Sequence, residues 1–192
     1  VVTFGTGTQT VTATAEGTWS AVFVAGEVPT GELMATITAV ATDVYGNATS
    51  ATGEVQIDTI APGITVTSGT QSVDDFFNAT SFADGVTLTG TGEAGASVVV
   101  TIAGIAQSTT VSADGTWSVT WAAGTLQSGE YSTDVQIVTT DAYGNSTSVS
   151  DVLVVDTVTD VTIDTDNVEG DGTVNAEERQ DGVTLTGTAQ PG

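Results

Sequence analysis

Carboxylates supply almost all the chemistry open to this chain. Its 192 residues hold 24 Asp and Glu, a single basic residue (Arg179), and no His or Cys. The usual general bases, thiol nucleophiles and zinc ligands are therefore missing. Ten of the acids fall between Asp151 and Asp181: Asp151, Asp156, Asp160, Asp164, Asp166, Glu169, Asp171, Glu177, Glu178 and Asp181. They stand beside Gly and Asn, in loop-like stretches rather than on strand faces. Crowded carboxylates repel one another, and a bound divalent cation relieves that repulsion. A hard cation such as calcium collects about six to eight oxygens from carboxylates, Asn side chains and main-chain carbonyls. The acids are read here as calcium ligands in preference to a solvated surface that only keeps the chain soluble. No EF-hand is present: counted from Asp164, the fifth and sixth loop positions are Val168 and Glu169, where the motif needs Gly at the sixth. Any site must therefore be assembled from separate loops.

The formal charge of -23 excludes other functions. A chain with one cation cannot neutralise phosphates, so nucleic acid is not its partner. Anionic membrane surfaces repel it. No apolar run is long enough to span a bilayer, so no membrane insertion is expected. Paired carboxylates could do glycosidase chemistry. Here every pair recurs along the chain, and tandem copies of one active site are not a sensible design. The chain is read as a non-enzyme.

The elements that must position these acids are strands. Thr (39), Val (28) and Gly (23) dominate the sequence, a combination suited to pleated strands and tight turns. Repeats set the architecture. Glu16-Gly-Thr-Trp-Ser returns as Asp114-Gly-Thr-Trp-Ser, 98 positions later. Thr42-Asp-Val-Tyr-Gly-Asn returns as Thr140-Asp-Ala-Tyr-Gly-Asn, and Asp58-Thr59 as Asp156-Thr157, at the same spacing. Asp84–Thr91 recurs unchanged as Asp181–Thr188, 97 positions on, so one residue is deleted between Thr157 and Asp171. A period of about 98 matches the ~100 residues of an immunoglobulin-like sandwich. The fold expected is all-β: tandem immunoglobulin-like β-sandwich repeats. Residues 1–59 form the C-terminal part of one repeat, 60–157 a complete repeat, and 158–192 the N-terminal part of a following one. The chain starts inside a strand-like run without a signal peptide, so it reads as a fragment. The incomplete ends leave core positions uncovered.

Within the complete unit, strand-like runs are 64–68, 86–91, 97–102, 107–111, 116–121, 131–139 and 147–155. Val135, Ile137 and Thr139 alternate with Asp134, Gln136 and Val138, one face buried and one wet. Ala113-Asp114-Gly115 reads as a hairpin turn. No segment has a convincing helical period, and Glu177–Gln180 could make one turn at most. Trp19 and Trp117 are expected between the sheets, with Trp121 buried or half buried. Tyr45 and Tyr143 are expected to pack at the ends of the sandwich.

Taken together, Asp58-Thr-Ile-Ala-Pro62, Asp-Gly-Val-Thr-Leu-Thr-Gly-Thr, Gly92-Glu-Ala-Gly95, Asp-Gly-Thr-Trp-Ser and Thr-Asp-x-Tyr-Gly-Asn resemble the bacterial immunoglobulin-like repeats of giant type I-secreted adhesins and biofilm-associated surface proteins. The resemblance covers essentially the whole chain. It implies an extracellular, cell-surface location and calcium at the joints between modules. The ligand positions it implies are Asp43, Asp58, Asp74 and Asp75 at the first joint, and Asp141, Asp156 and Asp171 at the second, with Asn175 and Asp181 in the segment that follows. The second joint departs from the pattern, because Asp156-Thr-Val-Thr-Asp160 lacks the Pro.

The function expected is mechanical: a stalk or fibre module, stiffened by calcium at its junctions, whose partners are neighbouring repeats of the same protein. Three rivals remain at this level. One is a self-assembling matrix filament in which other copies of the chain complete the partial ends by strand addition. Another is a carbohydrate-binding module working through Trp121 or Tyr131. The last is a surface whose acids serve solvation alone.

Overall fold

The computed structural model describes residues 1–166 and 168–190; of Asp181 it describes the main chain only. Strands dominate throughout. Residues 1–58 form one antiparallel sheet of β1 (Val2–Phe4), β2 (Gly7–Gln9), β3 (Glu32–Thr42) and β4 (Ala48–Asp58), in the order β2-β1-β3-β4. The long hairpin pairs Glu32 with Asp58 at one end and Thr42 with Ala48 at the other.

The central unit has two facing sheets. One contains β5 (Ile64–Ser68), β7 (Val86–Gly92) and β10 (Thr116–Trp121), ordered β10-β7-β5. The other contains β6 (Phe77–Asn78), β8 (Ser97–Ile102), β9 (Ile105–Thr110), β11 (Glu130–Thr140) and β12 (Ser146–Asp156), ordered β6-β12-β11-β8-β9. A short helix, α1 (Ala79–Ala83), follows β6. Residues 158–190 add a two-stranded sheet of β13 (Val161–Asp164) and β14 (Thr186–Ala189), with α2 (Glu178–Asp181) between them. The fold is thus an all-β sandwich.

Alternation builds the core. Val98, Val100 and Ile102 of β8, Val135 and Ile137 of β11, and Leu153 and Val155 of β12 point inward and are fully buried. They meet Val86 and Leu88 of β7 and Trp117, Val119 and Trp121 of β10. Each such aliphatic side chain contributes roughly 1.5–3 kcal/mol by leaving water. Buried indoles need an acceptor. Trp117 Nε1 donates to the Thr91 carbonyl (3.3 Å) and Trp121 Nε1 to the Ile105 carbonyl (3.2 Å). Gly90 makes room for the Trp117 ring: a Cβ there would lie 2.4 Å from Trp117 Cζ2 and 2.0 Å from the Thr65 carbonyl oxygen.

Several sequence expectations need correction. Trp19 is 50% exposed, against 3% for Trp117. No counterpart of β5 and β7 faces it in residues 1–58, so nothing covers the ring and residues 18–24 form no strand. Tyr45 and Tyr143 are 89% and 65% exposed, because they sit at the tips of hairpins that project beyond the core. The Asp114-Gly115 turn does not join two strands of one sheet: it carries the chain from β9 to β10 in the facing sheet. The helix α1 was not legible because its five residues are too few to show a period. It forms through its cap: Asn78 Oδ1 accepts from the Thr80 and Ser81 main-chain N–H groups, and the Ser81 hydroxyl receives the Asn78 N–H. Trp121 is fully buried, and the Tyr131 hydroxyl donates to the Gln127 carbonyl. Trp121 therefore offers sugar no aromatic platform, and the Tyr131 hydroxyl is already engaged.

Candidate functional site: the Asp58–Asn145 joint

The two Asp-x-Tyr-Gly-Asn loops fold by the same local rule. Asp141 Oδ1 accepts from the main-chain N–H of Tyr143 (2.8 Å) and Asn145 (2.9 Å), while Oδ2 accepts from the Asn145 amide (2.8 Å). Asp43 makes the same three bonds with Tyr45 and Asn47, each at 2.8 Å. Gly144 and Gly46 take positive φ (95° and 85°), the backbone state that lets so tight a loop close. These Asp side chains are thus turn organisers first. The Asn47 side chain, followed by its main-chain N–H, holds the Asp43 carboxyl below the ordinary carboxylate range. For Asp141, desolvation pushes upward, and the bonds from Asn145, Tyr143 and Gly144 outweigh it, leaving a net lowering.

The loops differ in what they face. The Asn145 amide also reaches Asp58, 3.3 Å from Oδ1 and 3.4 Å from the main-chain carbonyl. Asp58 ends β4, the last strand of the preceding unit, and its Oδ1 also accepts from the Ile60 N–H (3.1 Å). One neutral donor is therefore shared by two carboxylates from neighbouring units. Among the described residues Asn47 has no such partner: its side-chain bond stays within its own loop. The following Thr is a clamp at both joints. Gly31 N–H donates to Thr59 Oγ1 and Thr59 N–H to the Gly31 carbonyl; Gly129 and Thr157 repeat both bonds.

The ligand sets expected from the sequence do not assemble as grouped. β4 spans eleven residues from Ala48 to Asp58, so Asp43 and Asp58 lie at opposite ends of a strand about 34 Å long. Asp141 and Asp156 are separated in the same way by β12. A hairpin reverses the chain, so its tip and the end of its second strand point in opposite directions. Asp58 instead meets Asp141 and Asn145 of the next unit.

The remaining candidates lie elsewhere. Asp75 closes a bend, accepting from Ser68 Oγ (2.8 Å) and the Gly69 N–H (2.7 Å), which lower its pKa, the Gly69 bond most. Asp74 is exposed, in the left-handed region (φ 59°), and ends the 3-10 turn Gln71–Val73. Asp156 is exposed beside Asn78 and accepts from the Val158 N–H (3.4 Å). Asp171 accepts from the Thr173 N–H (2.9 Å), and Asn175 Oδ1 from the N–H groups of Glu177 and Glu178. The Asp181 side chain lies outside the described residues. Among the described residues no group of three or more acidic side chains converges on one point.

Asp151, counted above among the clustered acids read as calcium ligands, has a structural role instead. Asp151, midway along β12, accepts from Thr70 Oγ1 (2.7 Å), Ser72 Oγ and its own neighbour Val152 N–H (2.8 Å). It pins the 3-10 turn to the sheet. Desolvation works against its charge, yet the bonds from Ser72 and Thr70 prevail and its pKa is lowered. Its partners are about 80 residues away, so no local pattern marks it.

The donor set at the first joint suits calcium. It offers the Asp58 and Asp141 carboxylates and the Asp58 carbonyl, all hard oxygens, with an Asn amide that can turn its own oxygen toward an ion. Water would have to complete the shell.

Residues 78–156 match the family described as Bacterial Ig domain. No curated protein matches the sequence. Among solved structures, the chain is similar to one described as "Ca2+-stabilized adhesin helps an Antarctic bacterium reach out and bind ice", at 26% identity over 99% of this chain and 48% of that one, with a TM-score of 0.42. It is also similar to a tetra-tandem repeat in the extending region of a large adhesion protein, at 25% identity over 98% of this chain and 47% of that one, TM-score 0.44. A bacterial immunoglobulin-like domain from the M. primoryensis ice-binding adhesin shares 30% identity over 51% of this chain and 98% of its own length, TM-score 0.37. The chain spans about half the length of the first two. Residues 78–156, most of the central sandwich, are thus similar to the bacterial Ig domain family.

Proposed function

We propose that this chain is a spacer segment of an extracellular bacterial adhesin, a non-enzymatic stalk whose partners are its neighbouring repeats. Calcium at the joint between units would set their relative angle. The observation that carries this reading is the Asn145–Asp58 contact, in which a loop of one sandwich grips the last strand of the unit before it. With the ion bound, Asp58, Asp141 and the Asn145 amide oxygen would hold one charge from two sides. Without it, two carboxylates share one neutral donor and repel. No described helix is long and apolar enough to cross a membrane.

Extracellular modules bind calcium at about 10⁻⁴–10⁻³ M, so millimolar calcium would fill such a joint partly to largely. Binding only the ordered state adds about 2.7 kcal/mol when free calcium is a hundredfold above its dissociation constant. The test is small-angle scattering and thermal melting of the chain in calcium and then in chelator. Chelator should shorten the maximum dimension and lower the melting temperature. If neither responds, the acids are solvation and turn chemistry alone, and the calcium joint is wrong.

A further inference from the structure

The side-chain amide of Asn145 is surrounded by oxygens. Its nitrogen lies 2.8 Å from Asp141 Oδ2, 3.3 Å from Asp58 Oδ1 and 3.4 Å from the Asp58 carbonyl oxygen. Carboxylates and carbonyls accept, so the amide presents its N–H groups; the reverse orientation would set its own oxygen against theirs. The bond within the loop is short, and the two across the joint lie at the long end of hydrogen bonding. The same three oxygens are the ones a hard cation at this joint would take. The amide nitrogen and the cation therefore compete for one set of partners.

The rest of the loop does not depend on which way that amide faces. Asp141 Oδ1 accepts from the main-chain N–H groups of Tyr143 and Asn145 at 2.8 and 2.9 Å, and the Asn145 carbonyl accepts from the Asp141 N–H at 3.0 Å. Gly144 supplies the positive φ that closes the turn. A half-turn of the amide about its terminal torsion leaves all of these bonds in place. That torsion is broad and roughly two-fold in Asn, so donor and acceptor change places without moving the backbone. The side chain is only partly buried, so core packing does not lock it.

We propose that Asn145 is a two-way switch at the Asp58 joint: its amide donates to both carboxylates until calcium arrives, then reverses and ligates the ion through its oxygen. The inference rests on the calcium reading of this joint and adds its regulation. Calcium must displace a donor before it gains a ligand, which keeps the affinity in the weak range of extracellular modules, about 10⁻⁴–10⁻³ M. When calcium is scarce, the amide still bridges Asp58 and Asp141, loosely on the Asp58 side. An Asp in this place would be a ligand only. It would raise the ligand charge and tighten calcium binding. It would also leave three carboxylates repelling one another once calcium is removed.

The test follows the side-chain NH2 signals of Asn145 by NMR in the full chain, first in chelator and then as calcium is added. Those signals are identified by their loss in Asn145→Ala. The Asp58 carboxylate signal reports the arrival of the ion independently. As calcium fills the joint, the Asn145 NH2 protons should lose their carboxylate partners and exchange faster with water, while the Tyr143 main-chain N–H stays protected. Titration calorimetry of Asn145→Asp should show calcium binding tightened by roughly tenfold or more, and scattering in chelator should show a shorter particle than the parent chain. An Asp58 signal that responds beside an unmoved Asn145 NH2 pair overturns the switch and leaves the calcium joint standing. An Asp58 signal that ignores calcium overturns both. Asn145→Asp that binds calcium no more tightly than the parent chain also overturns the switch.

Discussion

Asn145 reaches back 87 positions to place its side-chain amide 3.3 Å from Asp58 Oδ1. The same amide is held at 2.8 Å by Asp141 within its own loop. Local turn chemistry thus aims a side chain across the joint, and the orientation of one sandwich becomes tied to the last strand of the unit before it.

The equivalent loop residue Asn47 separates joint from turn. Asn145→Ala should weaken calcium binding by roughly tenfold or more, the size of a lost ligand-orienting contact. Asn47→Ala removes the same turn bond where no second unit is faced, so it should leave calcium affinity unchanged. Isothermal titration of both variants decides this; equal losses would place the ion away from the Asp58 joint.

The two matched tryptophans should respond in opposite ways. Trp117→Ala empties a buried site and should lower unfolding stability by about 3–5 kcal/mol. Trp19→Ala removes a half-exposed ring and should change it by less than about 1 kcal/mol in dilute monomer. Urea unfolding measures both. A large loss at Trp19 would mean that its face is covered.

Asp151 predicts an acid-sensitive docking of the 3-10 turn. Its folded pKa is depressed, so its contribution is present above the unfolded value of about 3.9 and is lost as pH falls through the folded one. Stability should therefore be flat near neutrality and drop below about pH 4. Asp151→Asn should lower stability by about 1–3 kcal/mol at pH 7 and flatten that drop. Asp43, Asp75, Asp114 and Asp141 shift in the same direction, so the variant keeps part of the slope. Melting curves from pH 7 to 3 supply the test; an unchanged profile would deny Asp151 its role.

Thr139 Oγ1 is buried in line with Val135 and Ile137, and among the described residues it is the one buried side-chain polar atom without a hydrogen-bond partner. Thr139→Val keeps the shape and removes the stranded hydroxyl. It should raise stability by about 1–2 kcal/mol. A lower melting temperature would show that the hydroxyl has a partner such as buried water.

The sequence by itself determined the strands and the core. Ile64–Ser68, Ser97–Ile102 and Thr116–Trp121 begin and end where alternation and turn residues put them. Val135, Ile137 and Thr139 face inward as the period of two requires. These are local rules, written into neighbouring residues. Tertiary structure alone decided which acids meet. Asp43 and Asp58 share a repeat and a residue type, yet an eleven-residue strand holds them apart, and the hairpin reversal turns each loop toward the opposite end. Asp58 therefore meets Asn145, and Asp151 meets Thr70, at separations no periodicity can encode. Trp19 and Trp117 share the same local motif. Their burial differs because a ring becomes a core residue only when a second sheet faces it.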